Sequence, residues 1–183
     1  KINWIDCDIT DPISTEKLIK SIKPDKIFHF AAESFVSPSW DHPHRYMSVN
    51  YNGTLNILDA MRKINSKAKI LIPGSGEEYG FLNSKDMPIT EKTLINPVNP
   101  YAVSKVAQDY ISYVYFKSYG IKVIRVRTFN HEGPRRENVF GISSGVISAK
   151  STFSIISRSL QRFVRDIGRV SIRLTKSPTL ASF

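Results

Sequence analysis

The sequence predicts an α/β fold, a doubly wound parallel sheet with flanking helices, and three observations carry that prediction. Short apolar segments rich in Ile, Val and Phe alternate with longer amphipathic stretches, a pattern that calls for crossover helices between parallel strands. Proline, asparagine and glycine mark the ends of those stretches. Small and polar residues gather directly after the strand-like segments, which is where an open α/β sheet places its ligands.

Each element follows from local pattern. Residues 2–7, Ile-Asn-Trp-Ile-Asp-Cys, read as a short strand leading into Asp8-Ile9-Thr10-Asp11. Pro12 opens a helix with Ile13, Leu18, Ile19 and Ile22 at helical spacing, and Pro24 closes it. Lys26 to Phe30 is a second strand that ends at Ala31-Ala32. Pro43 begins one long helix in which Val49, Gly53, Ile57, Met61 and Ile64 fall three or four residues apart. A strand at Lys69–Ile72 stops at Pro73-Gly74. After a polar loop, Asn99-Pro100 introduces a helix from about Tyr101 to Tyr119, which Gly120 terminates. Lys122–Arg127 supplies one more strand. Asp8, residues 31–34, residues 75–77 and Asn130-His131 each follow a predicted strand, so the chemistry is expected there.

Composition narrows the function classes. The 183 residues are 41% hydrophobic and include 10 Phe, 8 Tyr and 2 Trp, enough to build a core. No apolar run approaches the ~18 residues of a membrane span, and no charged-then-apolar leader opens the chain, so a cytoplasmic protein without a membrane segment is expected. The single cysteine, Cys7, leaves no partner for an internal disulfide and no multi-thiolate metal site; no metal is expected. The net charge of +10 is unevenly placed. Residues 1–140 carry 19 Lys/Arg against 15 Asp/Glu, and residues 141–183 carry 7 against 1 with 10 Ser. The chain is therefore divided into a folded domain at 1–140 and a basic Ser/Arg-rich tail at 141–183.

Tyr101-Ala-Val-Ser-Lys105 puts a phenol and an ammonium on one helix face, and a nearby cation favours the phenolate. Tyr101 is thus a candidate base. The spacing alone is weak, since Tyr113 and Lys117 repeat it; these are read as a packing residue and a solvated helix end. Tyr101 is distinguished by its place after Asn99-Pro100 and by a hydroxyl partner upstream, Ser75. With an extended backbone Ser75 and Glu77 would project to the same side and offer a hydroxyl and a carboxylate to one pocket. The competing reading is a polar turn permitted by Gly74, Gly76 and Gly80. As a phosphate loop the stretch fails: its glycine spacing is wrong and Glu77 and Glu78 would repel a pyrophosphate.

Taken in order, Asp8-Ile9-Thr10-Asp11, His29-Phe30-Ala31-Ala32-Glu33-Ser34, Val49-Asn50-Tyr-Asn-Gly53-Thr54, Gly74 to Gly80, Pro100-Tyr101-Ala-Val-Ser-Lys105 and Arg127-Thr-Phe-Asn130-His131-Glu-Gly-Pro134-Arg135-Arg136 resemble the extended short-chain dehydrogenase/reductase family, in its GDP-mannose 4,6-dehydratase branch. The resemblance covers residues 5–140 and implies a Rossmann-type domain. It implies a redox-neutral conversion of GDP-D-mannose to GDP-4-dehydro-6-deoxy-D-mannose. Tyr101, aided by Ser75 and Lys105, would take the 4-hydroxyl proton as hydride leaves C4 for NADP. Glu77 would remove the C5 proton and help water leave C6, and hydride would return to C6. The 4-ketone acidifies C5–H, so oxidation must come first. The resemblance also implies cofactor contacts at Asp8, Ile9, Phe30, Ala31, Ala32, Ser34, Arg45, Lys105, His131 and Arg136, and a substrate contact at Asn130. NADP is the expected cofactor, with NAD as the alternative, and the complete protein is expected to be a homo-oligomer. His29 is read as a core histidine, and Asn50 and Gly53 as packing residues.

The sequence departs from the family at both ends. The glycine-rich turn that cradles the pyrophosphate is absent, as is the substrate domain, so the Rossmann domain is incomplete and the isolated chain is expected to be inactive or nearly so. Residues 141–183 read as a shifted or misjoined tail, or alternatively as a basic helix with Ile155, Leu160, Phe163 and Ile167 interleaved with arginines. The other functions kept open are a GDP-4-keto-6-deoxymannose reductase, another sugar-nucleotide epimerase, and a non-catalytic basic interaction module; no nucleic-acid partner is expected.

Overall fold

Three parallel strands form the sheet of the computed structural model, which describes residues 3–129. They are β1 (Lys26–Phe28), β2 (Lys69–Pro73) and β3 (Lys122–Val126), hydrogen-bonded in that order. The register aligns their starts: Lys26 lies opposite Lys69, and Lys69 opposite Lys122. All three strands therefore deliver their carboxyl ends to one edge.

The helices follow the predicted punctuation. α1 (Pro12–Ile22) is capped by Asp11, whose carboxylate accepts the Ile13 and Ser14 N–H groups at 3.0 and 3.3 Å. Lys23 closes it in the left-handed conformation. Two four-residue helices, α2 (Pro38–Asp41) and α3 (Pro43–Tyr46), precede a π-helical turn at Met47–Asn52 and then α4 (Gly53–Lys63). α5 (Pro100–Tyr119) is capped by Asn99, whose Oδ1 accepts the Ala102 N–H at 2.7 Å, and ends at Gly120 with φ 67°. α4 connects β1 to β2, α5 connects β2 to β3, and α4 packs against both α1 and α5.

The apolar spacing read from the sequence is what the core uses. Ile9, Ile19, Ile27, Ile57, Leu58, Met61, Ile70 and Ile72 form one buried cluster beneath the sheet strands and α4. Burying each such side chain is worth roughly 1.5–3 kcal/mol. Gly53 is required by packing: a Cβ there would stand 2.5 Å from Cδ1 of Ile9.

Two expected elements differ. Residues 3–7 form no strand, because a strand exists only within a ladder and no described segment pairs with it. The single long helix from Pro43 is broken by the π-helical turn, whose Asn50 is wholly buried and hydrogen-bonded across to the loop after β1 and to α5. The boundary expected at residue 140 and the tail at 141–183 lie outside the described residues.

Candidate active site

The carboxyl ends of β1 and β2 and the first turns of α5 bring the predicted residues together. Ser75 is the extended residue after β2, and Gly76–Tyr79 form a 3-10 turn that Ser75 caps: its Oγ accepts the Glu77 N–H at 3.2 Å. The Ser75–Glu77 pairing thus arises from a capped turn, not from the extended backbone expected. Ser75 is buried and hydrogen-bonds the Tyr101 phenol, while Glu77 is exposed and close enough to act on the same phenol electrostatically. Asn99 holds Glu77 by donating from Nδ2 to Oε2 at 3.2 Å. One asparagine therefore starts α5 and orients the carboxylate.

Glycine-rich though it is, residues 74–80 cannot cradle a phosphate with their backbone. The Gly74, Ser75, Gly76, Glu77 and Glu78 N–H groups are all engaged, by Val126 O, Glu78 Oε1, Thr128 O, Ser75 Oγ and Ser75 O respectively. This agrees with the rejection of a dinucleotide loop here.

Glu78, beside Glu77 in sequence, has the opposite environment. It is fully buried; Oε1 accepts the Ser75 N–H at 2.7 Å and Oε2 accepts from Arg127 Nε at 3.1 Å. Gly74 leaves room for it, since a Cβ at Gly74 would lie 2.2 Å from Glu78 Oε1. Arg127 also reaches Asp109 on α5 at 2.7 Å, and Arg125 reaches the other oxygen of Asp109 at 2.9 Å. Burial pushes the Glu78 carboxyl up to about 7, against the Ser75 N–H and with Asp109 adding to the rise. This cluster ties the end of β2, the end of β3 and α5 into one frame around Ser75.

Tyr101 and Lys105 are both buried. Burial raises the Tyr101 phenol above its ordinary value; the Ser75 hydrogen bond opposes the rise, and Glu77 and Glu78 add to it. The lowering expected from Lys105 does not appear among these causes, for a geometric reason. The Lys105 ammonium is turned to the Pro73 carbonyl at 2.7 Å and to Gln108 Oε1 at 2.6 Å. Burial brings Lys105 down to about 8, with Glu78 partly opposing. At pH 7 it remains largely charged.

The residues expected at the cofactor line the neighbouring strand end. Phe30 is 68% exposed, Ala31 and Ala32 are half-buried, and Ser34 is exposed. Glu33 between them is buried, clamped through its N–H and C=O to Asn50 at 2.8 and 3.1 Å and paired with Arg45 at 2.9 Å. Asn50 therefore sets the backbone that presents residues 30–34, as the packing reading anticipated. Asp8 accepts from Thr10 N and Oγ1, both at 2.8 Å, so Asp11 rather than Asp8 caps α1. Ile9 is buried against α4. Asn130, His131 and Arg136 lie outside the described residues. Tyr113, read as a packing residue, is 40% exposed, its neighbour Phe116 is 47% exposed, and Lys117 lies over both rings; the second Tyr/Lys pair is a surface contact. Sequence reasoning missed Asn99 as a partner of Glu77, along with Glu78, Asp109 and Gln108. Only Gln108, three residues from Lys105 on one helix face, left a readable signal.

A parallel sheet that gathers a tyrosine, a lysine and a serine at its carboxyl edge defines a Rossmann-type domain of the dehydratase and epimerase kind. The chain belongs to the GDP-mannose 4,6 dehydratase family, whose model matches residues 1–153. It is 30% identical over 165 residues to the GDP-6-deoxy-D-mannose reductase of Pseudomonas aeruginosa, covering 90% of this chain and 53% of that protein. It is 35% identical over 135 residues to the GDP-mannose 4,6-dehydratase of Yersinia enterocolitica, covering 73% and 36%. Among solved structures it matches RMD from P. aeruginosa complexed with NADPH, with TM-score 0.69 and 33% identity over 74% of this chain and 46% of that one. DesIV from Streptomyces venezuelae, a dTDP-glucose 4,6-dehydratase with NAD and TYD bound, matches with TM-score 0.64 and 30% identity over 70% and 38%. The chain thus spans about half or less of the length of these relatives. Among the described residues no helix is long and apolar enough to cross a membrane, and no cluster of His, Cys, Asp or Glu suits a metal ion.

Proposed function

We propose that residues 1–140 are the catalytic core of a nucleotide-sugar dehydratase that converts GDP-D-mannose to GDP-4-dehydro-6-deoxy-D-mannose with NADP, in a protein of the length of its relatives. The observation that carries this reading is Glu77: an exposed carboxylate, held by Asn99, beside the buried Ser75–Tyr101 pair. An oxidation alone needs no such group, whereas loss of water across C5–C6 needs a base at C5.

The residues present suit a dinucleotide. Phe30 and the small Ala31 and Ala32 leave the end of β1 uncovered, and Lys105 keeps one ammonium hydrogen beyond its two bonds to Pro73 and Gln108. Phe30, Ala31, Ala32, Ser34, Arg45 and Lys105 would hold it, with Asp8 and Ile9 toward its adenine and His131 and Arg136 completing the set. When bound, NADP supplies a hydride acceptor for C4 and a donor for C6. Tyr101 removes the 4-hydroxyl proton, and Ser75 hydrogen-bonds the same oxygen. Glu77 takes the C5 proton, made acidic by the 4-ketone, and passes it to the departing C6 hydroxyl, which leaves as water.

A second reading has its own support. The P. aeruginosa reductase matches over more of this chain than the Y. enterocolitica dehydratase does. A GDP-4-keto-6-deoxymannose reductase would use Tyr101 and Lys105 with no need of a C5 base. Mass spectrometry of GDP-mannose incubated with NADP and the chain extended to the length of its relatives separates the two. Loss of one water supports the dehydratase; no loss, with NADPH-dependent reduction of the 4-keto sugar, supports the reductase. The 183-residue chain alone is expected to show little or no turnover.

A further inference from the structure

Lys105 is anchored by a hydrogen-bond chain that leads away from the substrate side into the core. Its ammonium donates to Gln108 Oε1, so the amide orientation is fixed and Gln108 Nε2 is left to donate to Thr54 Oγ1 at 2.7 Å. Thr54 has a single proton, which goes to the Asn50 carbonyl at 2.7 Å. The Thr54 oxygen must therefore accept from His29 Nε2 at 2.8 Å, which places the imidazole proton on Nε2. His29 Nδ1 is then a bare acceptor, and it is the one buried side-chain polar atom without a partner among the described residues. Every member beyond Lys105 is at most 1% exposed. The chain has one sense of direction: Gln108 meets Lys105 with its carbonyl because its amide nitrogen is committed to Thr54.

The chemistry of the anchor matters as much as its geometry. Gln108 offers a neutral carbonyl where a glutamate would have the same reach and would cancel the charge. The titratable groups facing Lys105 are Glu78 from the turn after β2 and the neutral His29 from the end of β1; Tyr101 precedes it on α5, and Asp109 is taken by Arg125 and Arg127. Among the described residues no carboxylate lies within ion-pair distance of Lys105.

We propose that Gln108 is a positioning residue for Lys105: with Thr54 and His29 behind it, it fixes the ammonium at the end of β2 without neutralising it, so that the charge stays available to the cofactor. This rests on the functional reading of Lys105 given above, but its test does not pass through turnover. The titration of Lys105 is followed by NMR of the 15N-lysine-labelled chain, with the signal assigned by its loss in Lys105→Met. In Gln108→Glu the added counter-charge should move that titration up by about 1–3 pH units. In Gln108→Met, which keeps the shape but not the acceptor, it should move down by about 1 pH unit or more. Where Gln108→Glu does not fold, as judged by circular dichroism, the Thr54 pair decides. Thr54→Val should release Gln108 and shift Lys105, whereas Thr54→Ser should restore the original titration. An unmoved Lys105 titration in the folded Gln108 variants, or in Thr54→Val, would overturn the proposal. Failure of the dehydratase reading would instead show as no loss of water from GDP-mannose and would leave these titrations as they are.

Discussion

Replacing His29 by Gln should make this domain less sensitive to acid. His29 is wholly buried, its Nε2 engaged by Thr54 and its Nδ1 without a partner, and burial followed by repulsion from Lys105 brings it down to about 3 from an ordinary 6.5. The unfolded chain binds the proton near 6.5 and the folded chain only near 3, so stability is lost as pH falls through that interval. Between pH 6.5 and about pH 4.5 two units of linkage amount to about 2.7 kcal/mol. That is a large part of the roughly 5–15 kcal/mol that holds a domain together. Glu78 works in the other direction. Its carboxyl is raised from 4.5 to about 7, so its contribution is present below 4.5 and is lost as pH rises toward 7. Both proteins share Glu78, and it cancels in the comparison. Gln at 29 can still donate to Thr54 and does not titrate. Urea unfolding followed by circular dichroism at pH 7 and about 4.5 gives the two pH differences. The wild-type chain should lose about 2.7 kcal/mol more than His29→Gln on acidification. Equal losses would refute the buried, neutral assignment of His29.

Two further substitutions test the frame around Ser75. Arg127→Met leaves Glu78 and Asp109 buried without their shared cation and should cost about 3–5 kcal/mol in urea unfolding, whereas loss of an exposed ion pair such as Arg62–Asp59 should cost far less. Asn99→Ala should lose the α5 cap, about 1 kcal/mol, and free Glu77, while Asn99→Ser should recover the cap but not the Glu77 contact, so stability and turnover part company between the two variants.

What the sequence disclosed, and what it did not, follows from the range of the interactions. Tyr101 and Lys105 are four apart on a helix whose start and end are written as Asn99-Pro100 and Gly120, so their shared face was legible. So was the core, because Ile57 and Met61 repeat at the period of the helix that buries them. Glu77 was singled out by its spacing from Ser75 and by the family resemblance, but the burial of Glu78 was not legible, since adjacent acids differ only in what the fold packs around them. The partners that bury Glu78, Arg127 and Asp109, come from β3 and α5. The direction of the Lys105 ammonium depends on Pro73 and Gln108, and the Tyr101 phenol is raised by its burial. The strand at residues 2–7 was expected from composition, yet a strand depends on a neighbour that no described segment provides.

The central claim is that Glu77 is the base that removes the C5 proton. It is tested most directly by comparing Glu77→Gln with the unaltered protein, both extended to the length of the relatives and given GDP-mannose with NADP. Dehydration should fall by ~100-fold or more in Glu77→Gln while NADPH binding is kept. Unchanged loss of water in Glu77→Gln would contradict it.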